Sequence, residues 1–275
     1  MLTWNLNPVA FTLHFGNAAV PVYWYGLLFA STFALGTPFF IAVFKRENKP
    51  VDQVHDLLFH FMAGTVVGAR LFHVLFYNPD FYFAHPAKIF AIWEGGLASH
   101  GTVVGVLISL WLYARRFPDQ PFLWVCDRIS VWAPAGGFLI RLGNFCNSEI
   151  LGKPSDLPWA VVFTRIDPVP RHPVQLYEAL CYLLIFALQL RFYLRHTSNC
   201  PPGLLFGRFL TLVFGMRFVM EFFKADQSTL DSAWALSMGQ WLSVPAILVG
   251  LWLMFRTAPS NKVENMDLTK NCGQG

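Results

Sequence analysis

The chain has 275 residues, of which 55% are hydrophobic, 17% aromatic and only 13% charged, with a mean hydropathy of +0.45. Soluble domains run at about 25% charged, so this composition excludes a disordered chain, a water-soluble nucleic-acid binder and a disulfide-stapled secreted scaffold, and points to an integral membrane protein. The net charge of +4 matters less than where the few charges fall in a chain that is mostly immersed in lipid.

A helix that crosses the bilayer needs about 20 predominantly apolar residues. Seven stretches qualify: Val20–Phe44, Val54–Phe76, Leu97–Tyr113, Phe122–Ile140, Val174–Leu194, Gly203–Phe223 and Met238–Phe255. The first basic residue is Lys45, so the first stretch lacks the basic n-region of a secretory signal and is expected to stay as a span. Asn48-Lys49-Pro50, Asn78-Pro79-Asp80, Pro118-Asp119 and Pro201-Pro202-Gly203 punctuate the connectors. The fold class expected is therefore an all-α polytopic membrane protein of about seven transmembrane helices. Residues 1–256 form one integral-membrane domain with a small outer loop region at about 141–173, and residues 257–275 form a polar tail.

Lysine and arginine in alternate connectors set the orientation. Ten lie on one side (Lys45, Arg46, Lys49, Arg115, Arg116, Arg191, Arg195, Arg256, Lys262 and Lys270), against five on the other (Lys88, Lys153, Arg165, Arg171 and Lys224). The basic side is expected to be cytoplasmic, which puts the N-terminus outside and the C-terminus inside. Cys126, Cys146, Cys181, Cys200 and Cys272 form no C-x-x-C pair, so neither a metal site nor a disulfide framework is expected.

Charges inside the spans cost roughly 2.5 to 3.5 kcal/mol each on insertion scales, so each needs a partner, a water-filled cavity or a function. In chain order, Tyr25 lies in a Tyr-Trp-Tyr-Gly run that reads as an aromatic belt or as a tyrosine turned inward toward a headgroup. Arg70 and His73 stand three apart near the outer end of the second span, where they can brace an outer cavity. His100 follows the paired Gly95 and Gly96 at the outer mouth of the third span; it is either a hydrogen-bonded structural group or a proton-transfer residue. Asp127 and Arg128 are expected to pair locally at the cytoplasmic start of the fourth span.

The densest polar run is Arg141 to Gly152, with Asn144, Asn147, Ser148 and Glu149, at headgroup depth. It reads as a solvated helix end or as a donor set for an anion, since arginine presents a planar fork that matches phosphate oxygens. His172, Gln175, Tyr177 and Glu178 open the fifth span, where Glu178 with Arg171 reads either as a capping pair or as part of a site. Arg217 and Glu221, four apart on one helix face, form either an internal ion pair or a site in which Arg217 also holds an anionic ligand. Arg208 reads as structural, snorkelling at the cytoplasmic end.

The segments GGLASHG, RLGNFCNSEILGKP, DLPWAVVF, RHPVQLYEA and EFFK, in this order on seven spans, resemble the prolipoprotein diacylglyceryl transferases of bacterial inner membranes, over most of the chain from Tyr25 to about Trp241. The resemblance implies transfer of the sn-1,2-diacylglyceryl group of phosphatidylglycerol to the lipobox cysteine of a preprolipoprotein, with a thioether formed and glycerol 1-phosphate released. It also implies a multi-pass inner-membrane enzyme whose partners are that lipid, the lipobox peptide and the bilayer, with no nucleic acid, cofactor or metal. Carried over residue by residue, it puts His100, Arg141 and Arg217 in catalytic roles. Arg141, Asn144, Glu149, Gly152, Tyr25, Glu221, His172, Gln175 and Tyr177 become substrate-binding. Ala98 and Ser99 depart from the more usual Ser-Phe, Ser148 from a common glycine, Val174 from a small polar residue and Lys224 from arginine, and the outer loop is short. A lipid transporter or flippase is the alternative, but no inverted repeat is visible; an intramembrane serine protease using Ser99 or Ser148 lacks the G-x-S-G context.

Overall fold

The computed structural model describes residues 2–256 apart from 17, 93–94, 97, 198–199 and 226–235. The expected tail at 257–275, with Cys272, lies outside the described residues, as do Trp93, Glu94 and Leu97 of the loop before His100.

Seven long helices dominate the described residues: α1 Trp24–Arg46, α2 Gln53–Phe76, α4 Ser99–Arg116, α5 Phe122–Asn147, α6 Val174–His196, α7 Leu204–Met220 and α8 Met238–Arg256, with a short α3 Pro79–Ala84 between the second and third. Each follows one of the seven apolar stretches. Four of them, α1, α2, α6 and α8, are long and apolar enough to cross a membrane by length and composition. The others are less clear by that measure: α7 has only 17 residues, and α5 carries Asp127, Arg128 and Arg141.

The expectation of an all-α chain is corrected by five short strands. β1 Leu2–Trp4 pairs in parallel with β4 Val161–Phe163, which pairs antiparallel with β5 Pro170–Arg171. β2 Val9–Phe15 and β3 Ala18–Tyr23 form an antiparallel hairpin. Val20 to Tyr23, expected to begin the first span, therefore belong to a strand, and the helix starts at Trp24. The β-branched and aromatic content of VAFTLHF favours that outcome. Two other edges also move: α5 continues past Ile140 to Asn147, and α7 stops at Met220, with Glu221–Phe223 forming a 3-10 turn.

The helices pack mostly in antiparallel pairs. In α1 against α5, Gly36 faces Trp132 and Thr32 faces Gly136; in α5 against α6, Gly137 faces Tyr182. Between α2 and α4 the backbones touch: a Cβ on Gly68 would lie 2.4 Å from the Gly101 carbonyl. Small residues at such a contact allow the dispersion contacts that hold helices together in lipid. By contrast, α7 runs parallel to α5. The Asp127 carboxylate accepts from the backbone N–H groups of Gly203 (2.7 Å) and Phe206 (2.8 Å) at the start of α7.

The end opposite the strands is held by a buried polar cluster. Arg128 pairs with Glu47 at 2.6 Å, and the Tyr193 hydroxyl and Trp124 indole donate to the same carboxylate. The expected local pairing of Asp127 with Arg128 is thus secondary, at 3.7 Å, because each has a closer partner on another element. Arg208 stacks over Phe192 at 4.0 Å, in keeping with a structural reading.

Candidate functional site

The parallel course of α5 and α7 brings both C-termini to the end where α1 and α6 begin. Four helix ends and the strand region therefore converge on the polar run 141–152. Because α5 extends to Asn147, Arg141 and Asn144 project from an ordered helix one turn apart rather than from a loop beyond it.

Arg141 is buried, and its Nε lies 2.9 Å from Oε2 of a fully buried Glu178 on α6. Its Nη1 donates to Asn144 Oδ1 at 3.2 Å. Asn144 in turn donates to Glu149 Oε2 at 3.0 Å, and Asn147 donates to Oε1 of the same carboxylate at 3.1 Å. Gln175 donates to the Glu149 backbone carbonyl at 2.6 Å. Glu149 only accepts hydrogen bonds when ionised, so it turns both asparagine amides with their NH2 groups toward it. The Asn144 oxygen is then free to orient Arg141. Among the described residues Nη2 of Arg141 has no hydrogen-bond partner.

The second oxygen of Glu178 is taken by Lys224, 3.0 Å away, which also lies 3.1 Å from Glu221 Oε2. One chain of alternating charge thus runs Arg141, Glu178, Lys224, Glu221 across α5, α6 and the end of α7. The contacts of Glu178 are close ionic approaches rather than aligned hydrogen bonds. Two expectations are corrected here. Arg171 pairs with Asp167 at 2.6 Å instead of with Glu178, and hydrogen bonding from Arg171 holds the Asp167 carboxyl below its usual range. Glu221 pairs with Lys224 instead of Arg217: its backbone N–H still donates to the Arg217 carbonyl at the helix end, but its carboxylate is taken by the Lys224 ammonium at 3.1 Å. Arg217 is left, among the described residues, without an ionic or hydrogen-bonded partner.

Gly152 closes the site. It bridges to Lys224, while Lys153 donates to the Phe223 carbonyl (2.9 Å) and Ala225 donates to the Leu151 carbonyl (3.0 Å). A Cβ on Gly152 would lie 2.3 Å from the His172 carbonyl oxygen, a contact that real Cβ atoms do not make. Gly152→Ala is therefore expected to push the loop at Gly152 away from His172 and Val174 and to reduce activity by at least 10-fold while helix content stays constant, checked by circular dichroism beside a turnover assay.

Tyr25 packs on the α5 face at Gly143, whose Cβ would lie 2.8 Å from the tyrosine ring. The belt reading gives way to the inward one. His172 lies 3.4 Å from the Tyr177 hydroxyl, to which Trp159 also donates, at 2.8 Å. These rings border the network without joining it. His100 is exposed near the start of α4, with its ring 6.3 Å from that of Phe72, and among the described residues no contact ties it to Arg141 or Glu178. Sequence reasoning gave Glu178 two readings and gave Lys224 only a departure from the family pattern. The usable signal for Glu178 was a charge near a span mouth with no neighbour of opposite sign on its own helix face.

The profile of the prolipoprotein diacylglyceryl transferase family matches residues 8–256. The chain is 49% identical to the phosphatidylglycerol–prolipoprotein diacylglyceryl transferase of Tolumonas auensis over 94% of its length and 98% of the relative. It is 46% identical to the protein of that name from Chloroherpeton thalassium, over 95% and 96%. The Bacteroides fragilis protein of the same name is 39% identical over 92% and 94%.

Proposed function

Because the chain belongs to the prolipoprotein diacylglyceryl transferase family, we propose that the network around Arg141 is the place where it carries out that family's reaction. The chain is a transferase: it moves the diacylglyceryl group of phosphatidylglycerol to the cysteine thiol of a prolipoprotein. Sulfur attacks the glyceryl carbon, the carbon–oxygen bond breaks, and glycerol 1-phosphate leaves with the electron pair while the thiol proton passes to a base.

Negative charge grows on the departing phosphate oxygen, and preorganised cations in a dry site stabilise it most. The observation that carries the reading is the buried Arg141, locked by Glu178 and Asn144 so that its Nη2 edge remains available. Arg217, which has no protein partner among the described residues, is the second arm of the clamp. Glu149, Asn144, Glu221 and Tyr25 orient these groups, and His172, Gln175 and Tyr177 shape the mouth with Gly152. His100 takes the thiol proton, since the thiolate is the effective nucleophile and imidazole titrates near neutral pH. Displacement at carbon asks for no metal.

On this reading all seven long helices span the bacterial inner membrane, with the strands and the site at the periplasmic face and the C-terminus in the cytoplasm. Purified protein incubated with labelled phosphatidylglycerol and a lipobox peptide should yield thioether-linked lipid. Peptide cleavage, or lipid movement without transfer, would overturn the reading. His100→Gln is expected to slow turnover by about 10²- to 10⁴-fold, the usual worth of a general base, and to flatten the pH profile on its acid limb; an unchanged rate and profile would exclude the base role.

A further inference from the structure

Arg70 is buried near the outer end of α2, and its guanidinium is used in full. Nε donates to the Ile89 carbonyl (2.9 Å), Nη1 to those of Gly95 (2.5 Å) and Gly96 (3.1 Å), and Nη2 to those of Lys88 (2.6 Å) and Ala91 (3.2 Å). A guanidinium has five N–H donors, and here five backbone carbonyls take them. The group also sits 5.0 Å from the centre of the Tyr82 ring. No donor remains for a lipid phosphate, so Arg70 is excluded as a headgroup ligand despite its depth and charge. All five carbonyls come from residues 88–96, the loop that delivers the chain to α4. The next residue along α2's partner contact completes the fastening: Ala98 N–H donates to the Ala69 carbonyl at 3.0 Å, two residues before His100.

We propose that Arg70 is a positioning residue for the transfer reaction, acting through the 88–96 loop to fix where α4 begins and so where His100 stands. This rests on the reading of His100 as the base. Pro86–Phe90 form a 3-10 turn, and the carbonyls of Lys88 and Ile89 in it are gathered together with those of Ala91, Gly95 and Gly96 by one planar cation projecting from α2. Lysine, a point charge with three donors on a flexible stem, keeps the charge and loses the template. A misplacement of about 1 Å at a reacting group is enough to cost about 100-fold in rate.

The test is a double-mutant cycle in purified protein reconstituted with phosphatidylglycerol and a lipobox peptide. Arg70→Lys is expected to lower kcat by about 10- to 100-fold with KM for the peptide unchanged, and Arg70→Lys with His100→Gln to be no slower than His100→Gln alone. Gly96→Ala gives a second route that keeps the arginine, since its Cβ would press within 2.8 Å of Arg70 Nη1 and 2.7 Å of His73 Nε2 and displace the loop; the same non-additivity with His100→Gln is expected. An Arg70→Lys protein of wild-type rate, or losses that multiply with that of His100→Gln, would overturn the positioning role while leaving the transferase reading intact. If His100→Gln alone is as fast as wild type, the role falls together with the base assignment, and a wild-type chain that makes no lipidated peptide removes the transferase reading itself.

Discussion

Glu178→Gln is expected to be the most damaging single change in the chain, lowering stability by about 3–5 kcal/mol and abolishing transfer. The substitution keeps the size and removes the charge. Glu178 is fully buried, with Arg141 at 2.9 Å on one oxygen and Lys224 at 3.0 Å on the other. Removing one partner from a buried ion pair costs about 3–5 kcal/mol because the remaining charge stays desolvated without compensation; here Arg141 loses its carboxylate and Lys224 keeps only Glu221, at 3.1 Å. Thermal unfolding in detergent and phosphatidylglycerol turnover measure the two effects. A variant that keeps wild-type melting and turnover would show that Arg141 and Lys224 are held by something other than this carboxylate.

Arg141→Lys is expected to lower kcat by about 10²- to 10³-fold, the usual cost of losing one donor that stabilises developing charge. Stability should fall far less than in Glu178→Gln, because the ammonium still pairs with Glu178. What lysine lacks is the fork: one edge of the Arg141 guanidinium is committed to Glu178 and Asn144, and another edge is presented in a fixed direction. A lysine that satisfies Glu178 has no such second edge. Rates from phosphatidylglycerol titrations at saturating peptide would show the deficit in kcat, and wild-type activity would remove Arg141 from the phosphate clamp.

The helices were legible because lipid permits few solutions: long apolar runs between turn residues become helices, and all seven did. The strands were hidden by the same signal. Val20 to Tyr23 look apolar enough to begin a span, yet they pair with Val9 to Leu13 across a hairpin. Polar residues that act within one helical turn, such as Arg141 and Asn144, could be read from spacing. Those that act between helices could not, since nothing in one sequence says that Glu178 meets both Arg141 and Lys224, or that Glu47 in a connector receives Arg128, Trp124 and Tyr193. The Arg217 and Glu221 spacing misled for a local reason, since the Glu221 carboxylate is taken by Lys224, three residues on, at 3.1 Å.

The parallel pairing of β1 with β4 joins Leu2 to Val161, and Gly152 in turn bridges to Lys224. During synthesis, the first strand has no mate until four long helices have been made, and Gly152 has none until Lys224 follows the sixth long helix. Contacts of such sequence separation form late because the intervening chain must first be ordered. The order of manufacture therefore assembles the scaffold before the chemistry, and a ribosome-bound fragment ending before α7 lacks Arg217, Glu221 and Lys224 altogether. On the proposed reading of the site, competence to react with lipid is acquired only once the chain has passed Lys224.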